Sequence, residues 1–378
     1  MALTKYALGD LLVRNTENND GLQYNADHVR GVLNSKGISN TKVSVEGRDL
    51  SKFLVVRPGG FIFNHRVHDK LGLGYNTSEE TYIFTNDYVA FYVRPEVKDT
   101  ILLPKYLYMW FLRSEFDRYM LFKTYGSATL FFNWDNMCEL EITLPDITVQ
   151  QKYVDIYNAM IANQQSYERG LEDLKLVCDG YIEDLRRRVP CEKIGEYLIE
   201  SDQRNTNGLP VESVRGIATS KELIPTKANM DGVSLDNYKV VSPGQIAYVA
   251  DTSRRGDRIS LGFNDTQEQF LVSSISTVFG TKKEKLLPEY LMLFFTRAEF
   301  DRYARFNSWG SARETFDWSE MCNVEIPIPD ISVQKAIADM YTVYIARMRI
   351  NERLKAQIKD ICPILIRGSL EEGRNENV

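Results

Sequence analysis

The stretch LLPKYLYMWFLRSEFDRYMLFKTYGSATLFFNWDNMCELEITLPDITVQ, residues 102–150, decides the fold because the chain contains it twice. Residues 286–334 read LLPEYLMLFFTRAEFDRYARFNSWGSARETFDWSEMCNVEIPIPDISVQ. The two copies align without a gap, more than half of their positions are identical, and the offset is constant (288 − 104 = 184 residues). A repeat this long indicates a duplicated domain, because the repeats of solenoid proteins are much shorter.

The part of each repeat that precedes this stretch is only loosely similar. Val29-Arg30-Gly31-Val32 resembles Val214-Arg215-Gly216-Ile217, and Gly72–Asn76 resembles Ser260–Asn264. The offset drifts along these segments, so loops of unequal length separate them. A constant part (residues 102–150 and 286–334, the shared frame) combined with divergent loops predicts two similar domains that recognise two different targets.

The front of each repeat predicts β-structure and the rear predicts helices. Phe53–Val56, Ile83–Thr85 and Tyr88–Val93 are short β-branched or aromatic runs bounded by Gly, Pro and Asn. Lys105–Phe122 and Glu289–Phe306 each carry an apolar face at helical spacing, which predicts one helix in each repeat.

A long amphipathic helix follows each copy, over residues 148–189 and 332–368. Thr148 with Gln151 predicts a capping box, and Ser332 predicts the second N-cap. One unbroken helix of this length spans roughly 60 Å. The fold class we predict is α+β, with two similar domains (1–147 and 190–331) separated by two long antiparallel helices with coiled-coil packing. A pseudo-twofold axis would relate the halves, and residues 369–378 would form a flexible tail.

Composition excludes several classes of protein. The 378 residues include 46 Lys and Arg and 52 Asp and Glu, for a net charge of −6, so the chain is unlike a protein that grips nucleic acid through bulk positive charge. No apolar run predicts a membrane span, and the five cysteines form no Cys-x-x-Cys pair, which favours a reducing cytoplasm. Walker, Gly-x-Ser-x-Gly and Asn-Pro-Pro-Tyr motifs are absent, which argues against an enzyme.

The repeated motif resembles a known family boundary. Gly126-Ser127-Ala128, then Phe132-Asn133-Trp134, Met137-Cys138 and Pro145-Asp146-Ile147 lead into the long helix, and 310–335 repeat the pattern. This order is similar to the junction between a target-recognition domain and a conserved helix in the specificity (S) subunits of type I restriction–modification systems. Family copies often have Pro-Leu-Pro-Pro-Leu where this chain has Thr-Leu-Pro-Asp-Ile.

The resemblance implies a non-catalytic subunit that binds double-stranded DNA. Each domain would read one half of a bipartite, asymmetric target, and the helices would set the spacer and dock two methyltransferase (M) subunits. Restriction (R) subunits would join the full complex. S-adenosylmethionine and ATP would bind those partners, so no cofactor is expected on this chain. The apolar helix residues expected at the docking surface are Tyr153, Ile156, Met160, Ile337, Met340 and Tyr344.

The candidate DNA-reading residues lie in a basic loop of each domain. In the first domain they are His65, Arg66, His68 and Lys70, and in the second they are Arg254, Arg255 and Arg258. Arginine can donate two hydrogen bonds to guanine, and histidine and lysine can donate to phosphates or base edges. A metal site is disfavoured because the second repeat has no matching histidines, and a solvated loop stays the plain alternative.

Other repeated residues have two readings each. Arg30 and Arg215, both in Val-Arg-Gly, could contact phosphate or bond across a turn. Trp134 and Trp318 are expected to pack in the core, and the Gly-Ser-Ala segments are expected to be plain turns. The runner-up function is a helical scaffold with two protein-binding end domains. A recognition subunit outside the classical type I set is a third reading.

Overall fold

The computed structural model describes residues 3–41, 44–126, 130–252, 258–310 and 314–375. The chain forms two compact units, Met1–Ser166 with Glu352–Val378 and Tyr167–Asn351, which we name the first and second unit. The predicted helical segments 148–189 and 332–368 are therefore each divided between the units. Among the described residues, no helix has both the length and the apolar character needed to cross a membrane.

The first unit is built on a central antiparallel sheet of four strands in the order β2-β10-β6-β8. Its strands are Thr4–Ala7 (β1), Leu12–Asn15 (β2), Arg30–Val32 (β3), Ile38–Asn40 (β4), Leu54–Val56 (β5), Phe61–Asn64 (β6), Arg66–Val67 (β7), Leu73–Tyr75 (β8), Tyr82–Phe84 (β9), Tyr88–Val93 (β10), Leu130–Phe131 (β11) and Glu141–Leu144 (β12). The helices are Leu8–Leu11 (α1), Pro104–Phe111 (α2), Ser114–Lys123 (α3), Trp134–Cys138 (α4) and Ile147–Arg188 (α5).

The second unit repeats this sheet in the order β14-β21-β18-β19. Its strands are Cys191–Lys193 (β13), Leu198–Ser201 (β14), Arg215–Ile217 (β15), Leu223–Pro225 (β16), Lys239–Val241 (β17), Ile246–Val249 (β18), Leu261–Phe263 (β19), Phe270–Val272 (β20), Ser276–Thr281 (β21) and Glu325–Pro327 (β22). The helices are Pro288–Phe295 (α6), Ala298–Phe306 (α7), Trp318–Cys322 (α8) and Ile331–Asn375 (α9). The predicted α+β class and the two long helices are confirmed.

The central strands read as continuous apolar runs because both faces of the sheet are covered. In β6, Phe61 and Phe63 face the main core beside Phe91, while Ile62 faces a second cluster with Ala90. Period-two alternation therefore places successive side chains in two different cores. The predicted strands Phe53–Val56, Ile83–Thr85 and Tyr88–Val93 are each found within one residue of their predicted bounds.

The single helix predicted over Lys105–Phe122 is wrong, because two helices occupy it. α2 ends at Phe111 and α3 begins at Ser114, with Arg113 in extended backbone between them. The carbonyl oxygens freed at the break are taken by side chains: Arg113 Nε donates to Trp110 O (3.1 Å) and Lys36 Nζ donates to Phe111 O (2.6 Å). The helix predicted over Glu289–Phe306 is likewise divided into α6 and α7.

The predicted caps of the long helices are also corrected. α5 begins at Ile147, and the Asp146 carboxylate accepts from the backbone N–H (2.9 Å) and the hydroxyl (2.7 Å) of Thr148. These hydrogen bonds hold the pKa of Asp146 below its usual value. A carboxylate is favoured here because the first N–H groups of a helix lack partners within the helix. Gln151 does not close a capping box; its amide donates to Asp155 instead. In the second copy α9 begins at Ile331, one residue before the predicted Ser332 cap.

The predicted tail 369–378 is wrong over most of its length, because α9 continues through Pro363 to Asn375. Contacts in the first unit hold these last turns. Ser369 is buried and its hydroxyl lies 2.6 Å from that of Tyr106, and Glu372 accepts from Lys152 (2.8 Å) and Tyr153 (3.1 Å). A polar sequence therefore forms helix where tertiary contacts offset the entropy of ordering it.

Each core is completed by an end of a long helix. Cys362 and Leu365 of α9 join the core of the first unit, and Cys178 and Ile182 of α5 join that of the second. Burial raises the pKa of Cys362 to about 12, so its thiol is held in the neutral form. These two cysteines stand at matched positions of the repeat (362 − 178 = 184) and both are small apolar core residues.

Candidate nucleic-acid interface

In the first unit the predicted DNA-reading loop is joined to a second loop from the repeated motif. β7 pairs with β11, with Arg66 opposite Phe131, and Phe132 N donates to His65 O (2.9 Å). Tyr125 and Phe131 exchange backbone hydrogen bonds of 3.2 and 2.9 Å, which hold the two ends of the segment around Gly126 together. The segment after β6 and the loop at Gly126 therefore form one surface, although about 60 residues separate them in sequence.

The second unit makes the same junction. Asp251 bridges Thr315, and Phe316 N donates to Ala250 O (2.8 Å). Trp309 and Thr315 exchange two backbone hydrogen bonds of 3.0 Å. The divergent loop and the loop at Gly310 are thus brought together in both copies.

Two large aromatic side chains are exposed beside this junction in each copy. Phe122 is 83% exposed and Tyr125 56% in the first unit, and Phe306 is 80% exposed and Trp309 63% in the second. They stand at matched positions, at or next to the end of α3 or α7 and just before the glycine. Single exposed apolar residues are common, but a pair that recurs at the same place in both copies indicates a contact surface.

The glycine that follows each aromatic pair has a positive backbone φ angle. Gly126 has φ 122° and Gly310 φ 138°, a region that other residues rarely adopt. This explains why glycine is present in both copies. Ser127, Ala128, Ser311 and Ala312 lie outside the described residues, so the turn at each Gly-Ser-Ala segment stays a prediction. The sequence shows that an aromatic pair precedes the repeated glycine in both copies, but it does not show that these side chains are exposed. Pattern reasoning missed them by assigning Phe122 and Phe306 to an amphipathic helix face.

The predicted reading residues of the first unit lie at the surface of this junction. His65 Nδ1 donates to Asp87 O (2.5 Å), and its ring stacks on Phe131 with centroids 5.5 Å apart. Arg66 is exposed, and its guanidinium lies 3.8 Å from the Asp87 carboxylate. His68 and Lys70 are exposed. The described residues contain no group of three or more metal-ligating side chains that could include these histidines.

A groove of about 310 Å³ runs beside His65 and is lined by both polar and aromatic groups, among them Arg14, Tyr125 and Trp134. Trp134 packs on Phe91 with ring centroids 5.6 Å apart, and Trp318 packs on Phe279 at 5.3 Å. Both tryptophans therefore pack against the sheet as predicted, although an edge of Trp134 also lines the groove.

The second unit offers fewer described charges at this place. Arg258 is exposed, whereas Arg254 and Arg255 lie outside the described residues. Arg305 of α7 pairs with Glu314, next to the junction. As with Arg66 and Asp87, a cation at the junction is matched by a carboxylate, so the surface is not uniformly positive.

Arg30 and Arg215 are engaged in bonds across a turn. Arg30 Nη1 donates to the carbonyl oxygens of Asp27 (2.5 Å) and Val29 (3.0 Å), and its guanidinium stacks 4.5 Å from the Tyr82 ring. Arg215 repeats this arrangement with Glu212 O (2.6 Å), Val214 O (3.1 Å) and the ring of Phe270 (4.3 Å). These contacts favour the structural reading of the pair. Arg30 also lines a different cavity from the groove beside His65.

The residues predicted to dock partners differ in accessibility. Ile156 is 40% exposed, but Ile337 is only 3% exposed in the core of the second unit, so the prediction for Ile337 is corrected. Tyr153, Met160, Met340 and Tyr344 are half-buried. Helical spacing identifies an apolar face but not the neighbour that covers it. On α5 a different set is exposed: Leu176, Val177 and Tyr181.

Comparison with known proteins bears directly on this surface. Residues 245–360 match the family model of the type I restriction modification DNA specificity domain. Residues 245–360 are therefore similar to a type I specificity domain. The matched segment includes the Asp251–Thr315 junction, Trp309 and the first part of α9. No curated protein sequence matches the chain significantly.

Solved structures extend the likeness of fold beyond this specificity domain. The crystal structure of the type I restriction–modification S subunit from M. genitalium aligns with a TM-score of 0.60 at 9% identity, covering 98% of this chain and 96% of that one. At this identity the likeness concerns the fold alone. A structure described for complex assembly and conformational transition of the type I R-M system has a TM-score of 0.47 at 13% identity, covering 98% of each chain. The HsdS subunit from Thermoanaerobacter tengcongensis has a TM-score of 0.39 at 12% identity, covering 98% of this chain and 96% of that one.

Proposed function

We propose that this chain is the DNA-specificity subunit of a type I restriction–modification complex and that each unit reads one half of a bipartite target. The observation that carries the proposal is the junction surface. It occurs once in each unit, with an exposed aromatic pair at matched positions and a different basic loop. The second copy lies within the matched specificity domain, and the internal repeat extends the assignment to the first.

The chemistry of the junction fits duplex DNA. Arginine and lysine of the loops can bond to base edges and phosphates, and exposed aromatic rings can pack on sugars or wedge against base steps. Arg66 would exchange the Asp87 carboxylate for a phosphate on binding. Because the loops differ and the frame does not, base preference would reside in 65–70 and 251–258.

The long helices would dock the partner subunits. Leu176, Val177 and Tyr181 form an exposed apolar group on α5, and apolar side chains on a solvent face favour a helix–helix or protein interface. We expect the methyltransferase and restriction subunits to bind S-adenosylmethionine and ATP and to carry the chemistry. This chain would contribute recognition and spacing without catalysis.

Methylation mapping tests the bipartite reading. Co-expression with a type I methyltransferase subunit that assembles with this chain is expected to give one asymmetric motif with two specific parts around an unread spacer. Arg66→Ala with Lys70→Ala should relax or change one part, and Arg254→Ala with Arg255→Ala the other, because each set belongs to one unit. A continuous palindrome, or no motif, would overturn the proposal. Unchanged motifs in both double variants would remove these loops from base reading.

DNA affinity tests the aromatic pairs. Phe122→Ala and Phe306→Ala are each expected to weaken binding of the assembled complex to target duplex by about tenfold, since a contact between a base and an aromatic ring contributes roughly 1–3 kcal/mol. Their exposure predicts little change in melting temperature. Fluorescence anisotropy with labelled duplex measures the effect.

Leu22→Ala is the matched control, because Leu22 is an exposed apolar residue between β2 and β3, outside both the junction and the long helices. It should leave DNA affinity unchanged. Equal losses in all three variants would mean that general destabilisation, and not contact with DNA, explains the result. A binding constant that does not fall with rising salt would favour the protein-binding scaffold, which lacks phosphate contacts.

A further inference from the structure

The first unit contains a cavity that is larger than the cavity at the matched position of the second unit. Its volume is about 620 Å³, within the range of small-molecule sites, whereas the corresponding cavity of the second unit measures about 210 Å³. It lies between the β3–β4 hairpin, the end of β8 and the helices α2 and α5. Two cations, Arg30 and Lys105, and three tyrosines, Tyr75, Tyr108 and Tyr157, are among the residues that line it.

Lys105 is the cation at the helical wall of this cavity. Its ammonium lies 5.9, 5.5 and 5.4 Å from the ring centres of Tyr75, Tyr108 and Tyr157. Burial lowers the pKa of Lys105, and no ion pair or hydrogen bond joins its ammonium to another residue of the described chain. A half-buried ammonium without a carboxylate is costly unless a ligand or water compensates it.

The other residues that line the cavity also favour an anionic ligand. Arg30 supplies a second positive charge, and no Asp or Glu is among the described residues that line the cavity. Ser39, Asn40, Thr77 and Ser78 add neutral hydrogen-bonding groups. In a chain of net charge −6, a cavity with two cations and no acid is selective for an anion. The tyrosine rings add flat surfaces on which an aromatic ring can stack.

The matched residues of the second unit do not give its cavity this excess of positive charge. Lys105 corresponds to Glu289, and Thr77 and Gln165 correspond to Asp265 and Arg349. Arg349 Nη2 donates to Asp265 Oδ2 at 2.8 Å, and both residues line the smaller cavity. A partly exposed ion pair thus lines the second unit's cavity where the first unit has the neutral side chains of Thr77 and Gln165.

We propose that the cavity at Lys105 binds a small anion that carries a flat ring, of the size and chemistry of a nucleoside monophosphate. The phosphate would pair with Lys105 and Arg30, and the ring would stack among the tyrosines. This site is separate from the groove beside His65 and does not depend on the proposed DNA function.

Calorimetric titration of the full chain tests the site with a nucleoside monophosphate, its uncharged nucleoside and inorganic phosphate. The monophosphate is expected to bind at least about tenfold more tightly than either fragment, because only it engages both cations and rings. No binding of the monophosphate at about 10 mM would overturn the proposal. Equally tight binding of inorganic phosphate would overturn the assignment of a ring-bearing ligand.

Two variants built from the second repeat locate the site. Lys105→Glu introduces the residue of the matched position, and Thr77→Asp with Gln165→Arg recreates the ion pair of the second unit without touching Lys105. Each should weaken monophosphate binding at least about tenfold, while Glu289→Ala should leave it unchanged. Thermal melting identifies any variant that fails to fold, and the other then decides. If a folded variant bound the monophosphate as tightly as the original protein, the ligand would bind elsewhere and the proposal would be wrong.

Discussion

Replacing Asp301 by alanine is expected to destabilise the second unit by about 3 kcal/mol, since removing one partner of a buried ion pair leaves an uncompensated charge. Asp301 Oδ1 accepts from Lys221 Nζ (2.5 Å) and from Ile259 N (3.1 Å), and Lys221 also donates to Ile259 O (2.9 Å). Burial lowers the pKa of Lys221, and Asp301 opposes this effect. Native-state amide exchange in peptides of the second unit measures the loss.

The same variant should weaken DNA binding, because Ile259 directly follows the loop 251–258 and the ion pair anchors it. The double variant Lys221→Met with Asp301→Leu should recover only part of the stability, because apolar contacts replace the ion pair but Ile259 N and O lose their partners. Arg302→Ala, at the exposed next position, is the control and should change stability by less than about 0.5 kcal/mol. A stable Asp301→Ala protein with unchanged exchange would contradict the assigned role.

Replacing Gln334 by leucine is expected to lower the free energy of unfolding by about 3 kcal/mol, because three partly buried backbone groups each lose a partner at roughly 1 kcal/mol. Gln334 is fully buried at the start of α9. Its amide donates to Lys285 O and Pro329 O (both 2.8 Å), and its oxygen accepts from Leu287 N (2.9 Å). One side chain therefore ties the turn before α6 to the turn before α9. Urea unfolding and amide exchange of the second unit measure the cost.

Gln150 gives this prediction an internal duplicate, since it makes the matching bonds to Ile101 O, Pro145 O and Leu103 N in the first unit. Gln150→Leu should lower the stability of the first unit by a similar amount. Gln357→Leu, at an exposed position of α9, should have almost no effect. If Gln357→Leu were as damaging as Gln334→Leu, the loss would come from the helix surface and not from the buried bonds.

The aspartate of the repeated motif has the same structural role in both units. Asp117 and Asp301 of the shared Glu-Phe-Asp-Arg-Tyr sequence each pair with a buried lysine, Lys36 at 2.8 Å and Lys221 at 2.5 Å. Both lysines have a positive φ, 64° and 68°, so each forms a tight turn whose side chain reaches into the core. The frame is constant because these polar bonds are buried and leave little freedom for substitution.

The secondary structure was predictable where hydrophobic periodicity is strong. β10 and the two long helices follow directly from their patterns. The break between α2 and α3 and the helix over 369–375 were not predictable, because both depend on side chains from distant parts of the chain: Lys36 at Phe111 and Tyr106 at Ser369. Local propensity is a weak prior against such contacts.

The candidate site was predictable only in part. The basic loop after β6 could be selected by charge, and the surface position of Arg66 agrees with that selection. The exposure of Phe122 and Trp309 could not be read from sequence, because an aromatic residue in an amphipathic pattern is most often buried. The turn role of Arg30 was one of two readings that sequence left open.

The sequence by itself determined the duplication, the α+β class and the division into a constant frame and two divergent loops, because identity at a fixed offset and apolar periodicity are local properties of the chain. Only the tertiary structure decided which residues meet: the loop at His65 with the loop at Gly126, Asp301 with Lys221, and Lys105 with three tyrosines. Those contacts join residues far apart in sequence, and their energies depend on burial and on the groups that surround them.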